Sequence, residues 1–256
     1  MKDEEQTLKE YIKEEKLQKT FAKVFDRQTI MTVHKIAKKG YFDILEFVVS
    51  TGKEAHVFRA SDKAGNPRAV KIYKTKTSDF KNMEKYIKGD QRFKEERKTK
   101  QDIVFAWAKK EFKNLSLARS AQASVPLPIF VLENVLVMEF IGAKDAEKTL
   151  KEIKSTQSEL QDYYEQTIDF MAKIFLKKEL VHADLSEYNI MVRAAEKKLV
   201  FIDMGQGVLA SHPYAQEFFE RDIQNMTKFF SKHGIETSTQ EMLARIKEKK
   251  SIYTKE

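Results

Sequence analysis

The sequence predicts an α+β fold in two lobes, a β-rich half followed by a helical half, with a helical extension ahead of the first. Two observations lead there. Short β-type runs and turn signals crowd residues 43–140, whereas most of 141–256 carries helical spacing. The second half also holds an acid and an amide five residues apart, Asp184 and Asn189, and a second acid, Asp203, that closes an apolar run. The expected organisation is an extension over 1–42, a first lobe over 43–140 and a reduced second lobe over 141–256.

In the extension, Leu17, Phe21, Val24 and Phe25 recur at helical spacing, then Ile30, Val33 and Ile36 do the same, and Gly40 closes the segment. Three β-type runs follow, 44–50, 56–60 and 68–73, with a turn at Lys63-Ala64-Gly65-Asn66-Pro67 between the last two. Residues 74–100 form a polar, basic tract expected to be a mobile excursion or partly helical. Residues 101–122 read as a helix that ends before Pro126 and Pro128. Strands over 129–132 and 135–139 come next, and in the helical half two short strands, 190–193 and 199–202, flank the acids.

Composition narrows the function. The chain has 256 residues, of which 41% are hydrophobic, enough for a large core. Lys and Arg outnumber Asp and Glu by 47 to 39, a net charge of +8, so the surface would attract polyanions, RNA above all. The same balance also describes a Lys-rich solvated surface with no such partner. Cysteine is absent, which excludes disulfides, Cys-based zinc sites and thiol nucleophiles, and fits a reducing cytosol. Met1-Lys2-Asp3-Glu4-Glu5 leads into no apolar signal region, and the longest apolar stretch, 127–143, is broken by Glu133-Asn134. A soluble cytoplasmic protein with no membrane and no DNA partner is expected.

The chemistry-bearing residues fall in a telling order. Ser50-Thr51-Gly52-Lys53-Glu54-Ala55 lies between two strands, where a Gly and small residues let backbone N–H groups approach phosphate; an ordinary hairpin turn would look the same. Lys71 interrupts the apolar strand Ala69-Val70-Lys71-Ile72-Tyr73, a costly position unless the ammonium finds an anion or reaches water. Ile103, Trp107, Glu111 and Leu115 are spaced by four, so Glu111 shares a helix face with three apolar residues and is the obvious partner for Lys71. His182 reads as a structural histidine beside the loop rather than a base or ligand. Asp184 and Asn189 match the D-x-x-x-x-N spacing that aims one residue at a nucleophile and the other at Mg²⁺, and Asp203 stands 14 residues beyond Asn189 as a second hard oxygen ligand. Gly205 and Gly207 follow as expected points of flexibility.

This set is that of a kinase-like phosphotransferase, and the β-then-helical order is the protein-kinase pattern. In such a fold the strand Val135–Glu139 runs into the connection between lobes. Met138 would sit at the back of the nucleotide pocket, and backbone groups of Glu139 and Ile141 would bond the adenine edge.

The motifs Ser50–Ala55, Val70-Lys71, Val181–Asn189 and Ile202–Gly207 resemble those of the RIO family of atypical serine kinases, its first subtype in a short archaeal-like form. The resemblance covers roughly residues 20–245, and the Ser-Thr-Gly-Lys-Glu-Ala loop is its most specific part. It implies a small bilobal kinase fold, binding of ATP with Mg²⁺ (Mn²⁺ as a possible substitute), autophosphorylation on serine or threonine, and a small-ribosomal-subunit precursor, RNA and protein, as partner. By position it implies that Lys71 holds the α/β-phosphates and Glu111 holds Lys71. Asp184 would be the catalytic base, with Asn189 and Asp203 as metal ligands, and Asp203 can in this family also receive phosphate.

Departures from ordinary protein kinases agree with that resemblance. Ser186 stands where a Lys usually meets the γ-phosphate, Met204 replaces the Phe of D-F-G, and no A-P-E follows. The 53 residues after Asp203 are too few for an activation loop plus peptide-binding helices. Two other functions compete: an ATP-gated RNA-binding module with incidental turnover, and a small-molecule kinase, against which the Ser50–Ala55 loop argues. Thr75, Thr77, Ser78 and Thr99 are candidate phosphate acceptors in the polar tract.

Overall fold

A computed structural model describes residues 10–14, 18, 21, 24–75, 80–93 and 99–253. Leu17, Thr77, Ser78, Glu95 and Glu96 of the basic tract and the extension lie outside the described residues. The first complete helix, α1 (Arg27–Lys38), begins where Asp26 accepts a hydrogen bond from the Thr29 N–H, 2.8 Å. It ends with Gly40 in the left-handed region, φ +82°. Its stripe of Ile30, Val33 and Ile36 is buried, whereas Val24, on the other side of the extended N-cap Asp26, is 45% exposed.

Five antiparallel strands form the first lobe: β1 (Ile44–Thr51), β2 (Ala55–Ser61), β3 (Pro67–Tyr73), β4 (Pro128–Leu132) and β5 (Val135–Glu139), in the order β1-β2-β3-β5-β4. Strand alternation sorts its two faces. Val70, Ile72, Val135 and Val137 join the cluster under α1, and Tyr73 and Leu136 face the larger core that runs into the second lobe. Lys71, between Val70 and Ile72, therefore points away from α1.

Between β3 and β4 lie α2 (Phe80–Lys88), a 3₁₀ turn (Gln91–Phe93) and α3 (Lys100–Ser120). The described part of the basic tract is thus packed: Met83, Ile87 and Phe93 are buried and Tyr86 stacks on Phe218 at 5.0 Å. Thr99 and Asp102 make a reciprocal capping box at the start of α3, worth about 1 kcal/mol. The Thr99 hydroxyl is engaged in that cap, and the Thr75 hydroxyl donates to Asp26 at 2.6 Å.

The helical half comprises α4 (Gln157–Lys178), α5 (Ala215–Lys232), α6 (Thr239–Glu248) and α7 (Lys250–Tyr253). Strands β7 (Ile190–Arg193) and β8 (Lys198–Phe201) form a hairpin that brings Asn189 and Ile202 together, with the Ile202 N–H on the Asn189 carbonyl at 2.9 Å. A second small pair, β6 (Leu180–Val181) and β9 (Val208–Leu209), brackets the acid loop and the turn after Asp203. Two-residue strands have no readable period, so nothing in the residue pattern announced this pair. Among the described residues no helix is long and apolar enough to cross a membrane.

Candidate active site

The site is assembled at the junction of β3, α3 and the two loops around the β7–β8 hairpin. Lys71 Nζ lies 3.0 Å from Glu111 Oε1 and 2.8 Å from Oε2, and 2.9 Å from Asp203 Oδ1. Burial works against the ammonium, but Asp203 and Glu111 together outweigh it and hold Lys71 above the usual lysine value. Glu111 is fully buried, and burial raises its carboxyl to about 7 against the pull of Lys71. Asp203 has its side chain about half exposed (48%); desolvation works against its charge, yet Lys71 keeps it below the usual carboxylate range.

Asp184 faces this group. Burial, then the neighbouring Asp203 charge, pushes its carboxyl up to about 6. Asn189 Nδ2 donates to the Asp184 carbonyl at 2.8 Å and to its Oδ2 at 3.2 Å, which turns the amide oxygen of Asn189 away from Asp184. Gln206 Nε2 donates to the same Oδ2 at 3.0 Å. His182, 1% exposed, lies with Nε2 3.0 Å from the Ile202 carbonyl, so this nitrogen carries the hydrogen. Burial lowers the imidazole to about 4, and it is neutral at neutral pH.

The β1–β2 loop is a closed turn. The Gly52 N–H donates to the Ala55 carbonyl at 2.9 Å, Lys74 Nζ donates to the Gly52 carbonyl at 2.7 Å, and the Lys74 N–H meets the Glu54 carbonyl at 2.8 Å. Thr51 Oγ1 pairs with His56 Nδ1 at 3.2 Å, while Ser50 and Lys53 are exposed. Met138 packs half-buried against the large core. The Glu139 N–H is taken by the Leu127 carbonyl at 2.8 Å and the Ile141 carbonyl by the Glu147 N–H at 2.9 Å.

The residues fit Mg²⁺ in one specific sense. Among the described residues no cluster of three or more His, Asp or Glu could cage a metal. Asn189 and Asp203 carry an amide and a carboxylate oxygen on the two loops that the hairpin brings together, the kind of sparse oxygen set Mg²⁺ takes when phosphates complete its shell.

A family model described as the RIO domain matches residues 56–243. This chain belongs to the RIO family. The RIO chain is 42% identical over 212 residues to the RIO-type serine/threonine-protein kinase Rio1 of Haloferax volcanii, covering 82% of this chain and 71% of that protein. Against the Rio1 protein of Thermoplasma acidophilum it is 43% identical over 182 residues, 71% of this chain and 94% of the relative. It spans less of the human serine/threonine-protein kinase RIO1, 40% of that length at 36% identity over 231 residues. A solved Rio2 kinase from Chaetomium thermophilum, in an ADP/Mg²⁺-phosphoaspartate complex, superposes with a TM-score of 0.63 over 85% of this chain and 65% of its own. At 22% identity that likeness establishes the shared kinase-like fold. The RIO chain is an atypical serine/threonine protein kinase.

Several residues of the RIO site escaped sequence reasoning. Asp222 on α5, 1% exposed, accepts the Ala183 N–H at 2.8 Å and the Leu185 N–H at 2.9 Å, pinning the loop on both sides of Asp184. Ala183 is itself left-handed, φ +67°, and its carbonyl accepts from Arg221. Asn225 donates to the Leu185 carbonyl at 3.1 Å. A signal existed: Phe218, Asp222 and Met226 are spaced by four, the pattern that singled out Glu111. Gly205 and Gly207, expected to be flexible, are the reverse. A Cβ at Gly205 would lie 3.1 Å from Trp107 Nε1, and one at Gly207 2.9 Å from Asn114 Nδ2, so both are glycine because α3 presses on the turn.

Proposed function

We propose that this RIO kinase transfers the γ-phosphoryl group of ATP to serine or threonine hydroxyls, its own among them, during maturation of the small ribosomal subunit in the cytoplasm. The observation that supports it is Lys71, held between Glu111 and Asp203 and faced by Asp184 and Asn189. The Lys71 ammonium would hold the α/β-phosphates, with Glu111 fixing its position from behind. The Ser50–Ala55 turn would cover the phosphates. The Glu139 carbonyl and Ile141 N–H would meet the adenine edge, with Met138 behind it, where the lobes of 43–140 and 141–256 join.

Asp184 would accept the proton of the attacking hydroxyl. Mg²⁺ held by Asn189 and Asp203 would offset charge on the phosphates, and Mn²⁺ suits the same oxygen ligands. Asp203, half exposed beside Lys71, would in an ATPase cycle receive the phosphoryl group instead of a hydroxyl. The net charge of +8 supports RNA of a ribosomal precursor as the partner that this turnover releases.

The test is to incubate the purified chain with Mg²⁺ and γ-labelled ATP, then treat the labelled protein with acid and with hydroxylamine. Acid-stable label that resists hydroxylamine means serine or threonine autophosphorylation. Label lost to hydroxylamine and absent from Asp203→Ala means an aspartyl-phosphate and an ATPase-type switch. No label and no ATP turnover defeats the proposal.

A further inference from the structure

Helix α3 reaches the site with more than Glu111. On the adjoining face Ala106, Lys110, Asn114 and Ala118 are spaced by four, and all four are fully buried. The two polar members meet main chain. Asn114 Nδ2 donates to the Met204 carbonyl at 2.8 Å and the Gly207 carbonyl at 2.7 Å, and its Oδ1 accepts from Arg92 Nη2 at 2.9 Å. Lys110 Nζ donates to the Gly205 carbonyl at 3.0 Å and also to that of Gly207. Three carbonyls of the turn after Asp203 thus converge on two side chains of one helix.

Among the described residues Lys110 makes no ion pair within salt-bridge distance, and its buried amine is held by these carbonyls. Such a position is unfavourable unless the donors are needed where they are. Arg92 is itself paired in two places with Asp90, Nη2 to Oδ2 at 2.6 Å and Nε to Oδ1 at 2.9 Å, which leaves the Asn114 amide a single orientation. Asp203 begins this turn in the left-handed region, φ +61°, which is uncommon for a non-glycine residue although Asp is among those that adopt it most readily.

We propose that Lys110 and Asn114 are positioning residues that clamp the 204–207 turn and thereby set the Asp203 carboxylate for its metal. The inference rests on the reading of Asp203 as a metal ligand. It makes α3 a two-sided bracket, with Glu111 aligning Lys71 and the next residues aligning Asp203, so that phosphate and metal contacts are placed by one rigid element. Groups that orient a metal ligand contribute to affinity without touching the ion.

Trp107, the only tryptophan in the chain, packs against Gly205 and reports on this turn. The experiment titrates Mg²⁺ into protein saturated with a non-hydrolysable ATP analogue and follows Trp107 fluorescence. Lys110→Met, matched in length, is expected to raise the Mg²⁺ midpoint by about tenfold or more. Metal-free analogue affinity should stay within about threefold, since Lys71 keeps its Glu111 anchor even where Asp203 shifts. Loss of the donor to the Gly205 carbonyl is expected to lower Tm modestly, so the titration is run well below the transition. Asn114→Leu is expected to shift the midpoint the same way and serves if Lys110→Met does not fold. Midpoints unchanged in these variants, while Asp203→Asn shifts its own, overturn the clamp alone. No shift in Asp203→Asn overturns the metal reading and the clamp with it.

Discussion

Lys71 Nζ is 2.9 Å from Asp203 Oδ1 and 2.8 Å from Glu111 Oε2, so one ammonium joins β3, α3 and the turn after β8. The three elements come from distant parts of the chain, and the position of each charge depends on the other two. Removing Glu111 leaves Lys71 tied to Asp203 alone and pulled toward it. Glu111→Gln is therefore expected to lower kcat/KM for ATP by about 10²-fold, the usual effect of misplacing a reacting-group contact by an ångström. Steady-state kinetics at saturating Mg²⁺ checks this, and a loss under threefold would show that Lys71 needs no second anchor.

Asp184→Asn keeps the shape of the acid loop and its bond to Asn189 but cannot take a proton. Its phosphoryl-transfer rate should fall by about 10²–10⁴, the range for a general base. A single-turnover assay separates this from nucleotide binding, which should not change. A drop of less than threefold would remove Asp184 from the role of base.

The raised Asp184 carboxyl predicts a pH profile. A base must be ionised, so kcat/KM should be low in acid, rise as pH passes about 6 and level off above it. Since Asp203 helps to raise the group, Asp203→Asn should move the Asp184 titration to lower pH, read by NMR of the side-chain carboxyl. The stability sign runs the other way from activity. The folded state holds this proton more tightly than the unfolded chain, so the contribution of Asp184 to stability falls as pH rises from about 4 to 6.

Asp222 offers two carboxylate oxygens to two N–H groups, and an amide can accept only one of them. Asp222→Asn is expected to destabilise the protein by about 1–3 kcal/mol, the result of leaving a buried N–H unmatched. Hydrogen exchange at the Ala183 and Leu185 amides should quicken together. Unchanged exchange at both would mean that the loop is held by Arg221 and Asn225 without Asp222.

Gly207→Ala tests the close approach of α3 from the opposite side. The new Cβ would lie 2.9 Å from Asn114 Nδ2 and 3.1 Å from the Met204 carbonyl, neither able to withdraw without losing its partner. Overpacking of this kind typically destabilises by about 1–3 kcal/mol, visible as a lower Tm. A neutral substitution would show that the turn is looser than its hydrogen bonds suggest.

Much of the architecture was legible because it is written in local periods. The five strands of the first lobe and helices α1 and α3 follow from alternation, four-residue spacing, Gly40 and the Pro126/Pro128 exit, with ends shifted by one or two residues. Glu111 was legible as a partner for Lys71 because an acid on an apolar stripe has few other reasons to be there. The same reasoning applied to Lys110, Asn114 and Asp222 would have drawn attention to them, but their partners are backbone carbonyls and N–H groups, which every residue possesses. The helix over 80–88 was obscured by its basic composition; Lys85 and Lys88 are exposed on a helix whose Met83 and Ile87 are buried.

Residue type and spacing, together with the family resemblance, picked out the candidate side chains for phosphoryl transfer, because a base, a phosphate-binding amine and oxygen ligands each require particular functional groups. They also specified the order of lobes, because strand and helix periods are local properties. Only the tertiary structure decided that Gly205 and Gly207 are held rigid, that α3 grips the turn after Asp203, and that Asp222 supports Asp184 from beneath. Those features are contacts between a side chain and distant backbone, and backbone leaves no mark in the order of residues until the chain has folded.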